Sequence, residues 1–290
     1  MKRLQALVVG LFVLVVGVGG NCSRARVESM NEMNEGVVYA QQKRFIDAVS
    51  KLERATAIDA TNDGAFYNLA LVHIDMAKFD RAKEDLQRAI ALNDEVAGYH
   101  EKLGTVLMEL EDWEGAKAAL EAAIERDANL FKAYYKLAQV YEKLDDSQNA
   151  LHQYTASIVH GPRFLPAYSQ LGRLYADLGY LEQAAQVLQS ALEVAQPGTE
   201  EEADVHHLLG TVYQQQRNYD QAVAQFRAAL EITPGMRDAL FSLGWTYSLQ
   251  DERAEARRYL KKFVDVAGPD APEHYVKAAR DRLSELEASP

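Results

Sequence analysis

A small residue recurs at a fixed interval along most of this chain. Seven windows each carry a Gly or Ala at the eighth position and an Ala twelve residues later, and the windows repeat every 34 residues except for one that is four residues longer. A period of this length is typical of a stacked-repeat protein, because so small a unit buries its apolar face only against its neighbours. The pairs are Gly36/Ala48, Ala70/Ala82, Gly104/Ala116, Ala138/Ala150, Gly172/Ala184, Gly210/Ala222 and Gly244/Ala256.

Each window predicts two α-helices. In the third window, apolar residues recur at helical spacing over residues 99–110 and again over residues 113–124. The acidic pair Glu111-Asp112 separates the two runs, as expected of a polar turn. The paired small residues then lie on facing helices, where they allow the axes to approach to roughly 8–10 Å. We therefore expect an all-α fold built from helical hairpins.

The windows resemble the tetratricopeptide repeat family over about residues 29–270. That family places an aromatic residue early in the first helix, then Leu-Gly and Tyr, and later Ala, an aromatic or Leu, a second Ala and Pro. The resemblance implies a right-handed α-solenoid of about seven hairpins with a C-terminal capping helix. The sixth window supplies Leu209, Gly210, Tyr213, Ala222, Phe226, Ala229 and Pro234, and the fourth supplies Tyr134, Leu137, Ala138, Tyr141, Ala150, Tyr154 and Pro162.

The repeat register also sets the expected boundaries. The first window departs most from the family, with Glu32 and Glu35 where an aromatic residue and Leu are expected, so we predict a first helix that is an end cap or partly frayed. Pro197, Gly198 and the three glutamates after Thr199 predict a lengthened surface turn. The predicted segments are a signal peptide at 1–21, a tether at 22–28, repeats at 29–62, 63–96, 97–130, 131–164, 165–202, 203–236 and 237–270, and a capping helix and tail at 271–290.

The N-terminus combines a positive charge with an apolar stretch. Lys2 and Arg3 precede a run of apolar residues and glycines from Ala6 to Gly20, and the chain becomes polar directly after Cys22, its only cysteine. This run is short for a helix that spans ~30 Å of hydrocarbon but has the length of a secretory signal core. The segment resembles a bacterial lipoprotein leader, which implies export, acylation of Cys22 with a palmitate-type chain, and a membrane-anchored protein that faces the periplasm.

Two other interpretations of this end stay open. Gly19 and Asn21 depart from the lipoprotein pattern, which has Leu three residues before the cysteine and a small residue immediately before it. Ordinary signal cleavage after Gly20 is one alternative, and an uncleaved N-terminal anchor is the other. If Cys22 is acylated, Ser23 at the next position favours the outer membrane over the inner membrane.

The sequence predicts no catalytic residue, metal site or cofactor. His206 and His207 are adjacent on a helix and point about 100° apart, which is unsuitable for joint metal binding. The acidic pairs Glu111-Asp112 and Asp145-Asp146 fall in predicted turns, where turn formation is the simpler role. No glycine-rich phosphate loop or activated nucleophile interrupts the repeats. We therefore predict a non-enzyme.

The formal net charge of −12 bears on the choice of partner. Nucleic acid and anionic lipid require clustered Lys and Arg to displace counterions, so we do not expect either as the main partner. A protein or peptide partner in the cell envelope remains, and the oligomeric state is left open.

The resemblance also implies where a partner binds, because the first helices of this family line a concave face. Its N-terminal half is predicted to be apolar, which favours an extended apolar segment or an amphipathic helix. Two alternatives are that the segment before Ser29 covers the start of this groove and that the terminal helix covers Phe241 and Trp245. The predicted peptide-binding groove comprises Met33, Val37, Tyr67, Leu71, Ile74, Glu101, Thr105, Met108, Tyr135, Gln139, Lys143 and Arg173.

These features together predict a non-catalytic protein-interaction scaffold. The layout resembles bacterial tetratricopeptide repeat lipoproteins such as the pilotins of type IV pili, which implies a lipid-anchored assembly or localisation factor that binds a peptide segment of an envelope protein. The alternative is a carbohydrate-binding or enzyme-accessory protein in cell-wall or polysaccharide export machinery, since aromatic side chains could stack on sugar rings.

Overall fold

The computed structural model describes residues 24–269 and 271–288, and within them the regular secondary structure is entirely α-helical. The helices follow one another as short antiparallel pairs, and the expected all-α hairpin fold is confirmed. Their bounds are α1 Arg24–Gln41, α2 Phe45–Ile58, α3 Asp63–Asp75, α4 Phe79–Leu92, α5 Ala97–Glu109, α6 Trp113–Arg126, α7 Phe131–Lys143, α8 Ser147–His160, α9 Leu165–Asp177, α10 Leu181–Val194, α11 Glu200–Gln215, α12 Tyr219–Ile232, α13 Arg237–Leu249, α14 Arg253–Val266 and α15 Glu273–Ala288.

The chain divides into two compact units, one ending at Asn93 and one beginning at Asp94. The described part of the first unit holds α1 to α4, and the second holds α5 to α15. Five predicted windows begin at the first residue of a helix, at 63, 97, 131, 165 and 237. The repeat period therefore corresponds to one helical hairpin.

One backbone conformation recurs in all seven hairpin turns. The residue at the fifteenth position of each window has a positive φ, between 55° and 80°. Only the fifth turn uses glycine there, although glycine adopts this conformation at the lowest cost. The seven residues are Lys43, Ala77, Glu111, Asp145, Gly179, Arg217 and Asp251.

In the first unit, a small apolar core lies next to a buried polar contact. Ala48, Leu52, Leu69 and Val72 form the core. The Ser29 hydroxyl donates to the carbonyl of Ala55 at 2.8 Å, and the Asn62 amide donates to Ser29 Oγ at 2.9 Å. Both polar side chains are buried and hydrogen-bonded, so they join α1 and α2 to the start of α3 and leave no unsatisfied polar group there.

The first helix is continuous over Arg24–Gln41, so of the two alternatives predicted for it, partial fraying is wrong and an end cap stays a prediction. Lys51 of α2 pairs with Glu32 at 3.0 Å and with Glu35 at 2.6 Å, so two charged residues replace the expected apolar contacts. The helix begins at Arg24, inside the segment predicted as a tether. Arg26, two residues on, pairs with Asp59 at 2.9 Å. Residues 24–28 therefore belong to the first hairpin.

The second unit has two large apolar clusters. One is built by residues of α5 to α9 and includes Leu120, Leu137 and Tyr154. The other runs from α10 to α15 and includes Leu188 and Phe226. Glycines permit this close packing: a Cβ on Gly172 would lie 2.6 Å from Leu188 Cγ. The side chain closest to Gly172 is thus that of Leu188, sixteen positions later, and not that of Ala184, twelve positions later.

The surface turn between α10 and α11 was predicted to extend to Glu202, but it ends before Glu200. Glu200, Glu201 and Glu202 were expected in a surface turn, but they form the first turn of α11. Thr199 caps this helix by accepting a hydrogen bond from Glu202 N at 3.3 Å. Acidic side chains are stabilised at a helix N-terminus by the helix dipole, which explains why helix starts here.

The expected C-terminal capping helix is α15. It packs over Phe241, which agrees with the alternative that the terminal helix covers this end of the groove. Tyr275 of α15 lies with its ring centroid 4.8 Å from that of Phe241, and Trp245 stacks on Phe241 at 5.7 Å. Ala279 and Leu286 of α15 are buried. The helix thus closes the apolar end of the second unit.

Candidate functional site

The predicted groove residues of the first unit form an apolar surface on its first helices. Met33 and Val37 lie on α1, and Tyr67, Leu71 and Ile74 lie on α3. All five side chains are half-buried, whereas the neighbouring residues of α3, including Leu69 and Val72, are fully buried in the core. Since α1 also contacts α3, we call these five residues the α1/α3 surface.

Two polar groove residues of the second unit have partners within the chain. Lys136 of α7 pairs with the Glu101 carboxylate of α5 at 2.5 Å and donates to Thr105 Oγ1 at 2.8 Å. Burial raises the pKa of Glu101, but the charge and hydrogen bond of Lys136 more than offset this and hold it below the ordinary value. Glu101 and Thr105 therefore join α5 to α7, a contact that the repeat pattern does not predict because it depends on the single side chain of Lys136.

The predicted groove residue Tyr135 packs against two other aromatic rings. Its ring centroid lies 5.7 Å from that of Tyr154 and 5.2 Å from that of Phe164. Burial raises the pKa of its hydroxyl. The Tyr135 ring is thus part of an aromatic cluster with Tyr154 of α8 and Phe164 before α9, so its truncation would remove internal packing as well as a groove side chain. Met108 similarly packs against the apolar cluster of α5 to α9.

Arg173 is also held by internal contacts. Its guanidinium pairs with Glu142 at 2.7 Å and with Asp177 at 2.9 Å. The second oxygen of Glu142 accepts a hydrogen bond from the hydroxyl of Tyr154, a fully buried side chain. Glu142 is therefore the centre of a network that joins α7, α8 and α9.

Gln139 and Lys143 are the remaining predicted groove residues. Gln139 is half-buried on α7, and Lys143 is exposed at the end of that helix. The Lys143 ammonium lies 5.8 Å from the centroid of the Trp113 ring, a cation–π contact between α7 and α6 of the preceding hairpin. In the second unit, then, internal pairing occupies most of the polar groove residues.

The residues weighed for metal or acid–base chemistry have structural contacts. His206 Nδ1 hydrogen-bonds to Gln225 Oε1 at 2.7 Å, which joins α11 to α12. Asp112 and Asp146 cap α6 and α8 by accepting from the amides of Gly115 and Asn149. Over residues 24–269 and 271–288, no three His, Cys, Asp or Glu side chains are grouped so as to hold a metal ion.

The predicted lipidation site at Cys22, the signal peptide and the start of the tether lie outside the described residues. Among the helices of the described part of the chain, none combines the length and the apolar character needed to cross a bilayer.

Family comparison agrees with the hairpin pattern. One model of the tetratricopeptide repeat matches residues 164–235 and 202–267, and a second model of the same repeat matches residues 67–131 and 101–156. Together the matches cover more than half of the chain. A search of curated proteins returns no match.

Several solved structures share the fold. The C-terminal part of a tetratricopeptide repeat protein from Cytophaga hutchinsonii has a TM-score of 0.71 at 16% identity, with 87% of this chain and 99% of that one covered. PilF of Pseudomonas aeruginosa has a TM-score of 0.60 at 17% identity, covering 74% and 96%. YrrB, described as a TPR protein with an unusual peptide-binding site, has a TM-score of 0.55 at 26% identity, covering 67% and 97%.

Proposed function

This chain belongs to the tetratricopeptide repeat family, and from that premise we propose that it is a non-catalytic scaffold that binds a peptide segment of a cell-envelope protein. Proteins of this family are generally scaffolds for protein–protein interaction, and a protein or peptide partner follows from that fold. The envelope location and the nature of the bound segment are the parts that we add.

The α1/α3 surface is the observation that carries this proposal. Its members are apolar, only half-buried, and placed on first helices, whereas the apolar residues of the core are almost completely covered. A surface of this kind suits a strand or amphipathic helix that presents apolar side chains at regular spacing. YrrB, which is similar over two thirds of this chain, supports a peptide as the ligand.

We further propose that Cys22 is acylated and anchors the scaffold to a membrane, with the outer membrane favoured. The support is the leader, which joins Lys2 and Arg3 to an apolar core that ends near a unique cysteine. A single acyl chain anchors only marginally, so stable attachment requires more than one chain on the mature N-terminus. A tethered scaffold of this kind would assist assembly or localisation of its partner, as a pilotin does.

Crosslinking in intact cells tests the peptide-binding proposal. A photoreactive amino acid at Leu71 should capture one protein, and mass spectrometry should place the crosslink within a single short segment of it. The same amino acid at Ala57, an exposed position on α2, is the matched control. Equal capture from both positions would contradict a binding site on the α1/α3 surface.

Fractionation tests the anchor separately. The full chain should sediment with membranes, and Cys22→Ser should release it to the soluble fraction. Intact mass of the mature protein should show a lipid on an N-terminal cysteine. A mature N-terminus at Asn21 without a lipid mass would show that ordinary signal cleavage applies instead.

A polar cleft supports the second candidate, a carbohydrate-binding or accessory role. Tyr180, which is half exposed, lines a shallow cleft of about 520 Å³ together with the amide side chains of Gln183, Gln216 and Asn218. An aromatic face beside amide groups matches the stacking and hydrogen-bonding needs of a sugar. Binding on a glycan array that is lost in Tyr180→Ala would favour this role.

A further inference from the structure

A second cleft lies within the unit that begins at Asp94. It has a volume of about 330 Å³ and is formed by α9 and α11 together with the start of α13, the first helices of three successive hairpins. Its apolar wall includes Leu165, Pro166, Leu208 and Met236. The cleft is separate from the α1/α3 surface, which belongs to the other unit.

Three carboxylates line the same cleft. Glu201 and Asp204 come from α11, and Asp238 comes from α13. Their side chains take part in no ion pair or hydrogen bond with the described part of the chain, in contrast to Glu101 and Glu142. Each is exposed, so a ligand in the cleft could reach it.

The charged groups around Asp204 are themselves acidic. Burial raises the pKa of Asp204, and the charges of Glu200, Glu201 and Asp238 raise it further. The charges that shift the pKa of Asp204 are those of neighbouring acids, so no cation close to this carboxylate offsets its charge.

The two basic residues that line the cleft do not supply the missing positive charge. The Arg173 guanidinium pairs with Glu142 and Asp177, away from the three carboxylates. Burial lowers the pKa of His207, an effect that outweighs the opposing charge of Asp238, so its imidazole is neutral at neutral pH. His207 instead lies 3.3 Å from the Ser242 hydroxyl.

We propose that this cleft binds a lysine or arginine side chain of a partner segment, with a flanking apolar residue against Leu208 and Met236. The volume accommodates one long side chain and part of its neighbour, and the carboxylates complement its charge. Electrostatic complementarity of this kind selects among partners more than it adds affinity. The inference rests on the proposed peptide-binding function and adds a second contact, with a defined chemistry, to it.

Peptides of defined sequence test this assignment. The probes are acetylated, amidated peptides Gly-Ser-Ala-Leu-X-Leu-Ala-Ser-Gly, in which X is lysine, norleucine or glutamate, titrated by fluorescence against the full chain in detergent. Norleucine matches the length of lysine without its charge. The variant is Asp204→Asn/Asp238→Asn, and the control is Glu231→Gln/Asp265→Asn, which removes two exposed acids from α12 and α14 and changes the net charge equally.

The lysine peptide should bind about fivefold more tightly than the norleucine peptide at low salt, and the preference should shrink as salt screens the charges. It should disappear in the cleft variant and persist in the control. No binding of the lysine peptide, equal affinity for lysine and norleucine, or an equal loss in the control would each overturn the assignment. Capture of a partner through Leu71 would keep the scaffold function even then, so the two failures are distinguishable.

Discussion

Arg173 Nη2 donates to Glu142 Oε2 at 2.7 Å, and this ion pair joins α9 to α7. Glu142 is held on its other oxygen by the hydroxyl of Tyr154, which comes from α8 and is fully buried. One carboxylate thus satisfies a buried donor within its own hairpin and a charged donor from the next hairpin. Neighbouring repeats are coupled here by polar contacts as well as by apolar burial.

Replacement of Glu142 should destabilise the second unit. Glu142→Ala leaves the buried Tyr154 hydroxyl without its acceptor, at a cost of roughly 1–3 kcal/mol, whereas Arg173 keeps Asp177. The midpoint of urea unfolding, followed by circular dichroism on the full chain, measures this loss. Glu125→Ala, at an exposed position on α6, is the control. Midpoints that fall equally in the two variants would show that the Glu142 network adds no more stability than an exposed glutamate does.

The Glu101–Lys136 pair should make stability depend on acid pH. Lys136 holds the pKa of Glu101 below its ordinary value of 4.5 despite the opposing effect of burial. The pair therefore stabilises the fold fully above pH 4.5, and this contribution is lost as the pH falls below 4.5 through the folded-state pKa. Melting temperatures measured from pH 7 to pH 3 should fall more steeply for the native chain than for Glu101→Gln. Parallel curves would contradict this role for the pair.

The repeat period predicted the hairpins, because the spacing of small residues reflects a packing requirement that every repeat shares. It did not predict the turns, in which six non-glycine residues have positive φ, since only Gly179 gives a local signal. It also did not predict that Glu32 is packed in the first hairpin, because its partner Lys51 lies on the facing helix and no sequence pattern identifies this pair. Pairwise contacts that occur in one repeat only, such as that of Lys136, leave no periodic trace.

Bulk at Gly172 should weaken the stack. A Cβ there would lie 2.6 Å from Leu188 Cγ, closer than side-chain carbons approach, so Gly172→Leu should cost about 1–3 kcal/mol through overpacking. The damage should spread to adjacent hairpins, because each repeat is stabilised by its neighbours. Gly98→Ala is the control, since a Cβ at that position would meet no atom within 4 Å. Hydrogen exchange should show lost protection in α9 and α10 and beyond them; an unchanged pattern in Gly172→Leu would show that the small residue is not needed.

Truncation of the α1/α3 surface should weaken partner binding while the fold survives. Tyr67 and Leu71 are half-buried on α3, so their removal leaves the core residues of that helix in place. An anchor in the centre of a binding surface typically contributes more than its neighbours, and Tyr67→Ala or Leu71→Ala should each lower affinity by roughly 2 kcal/mol. The crosslinked segment, synthesised as a peptide and titrated calorimetrically, gives the measurement. Ile46→Ala removes an apolar side chain that is 80% exposed on α2 and should leave affinity unchanged. If all three variants bind equally well, the partner does not contact the first helices of this unit.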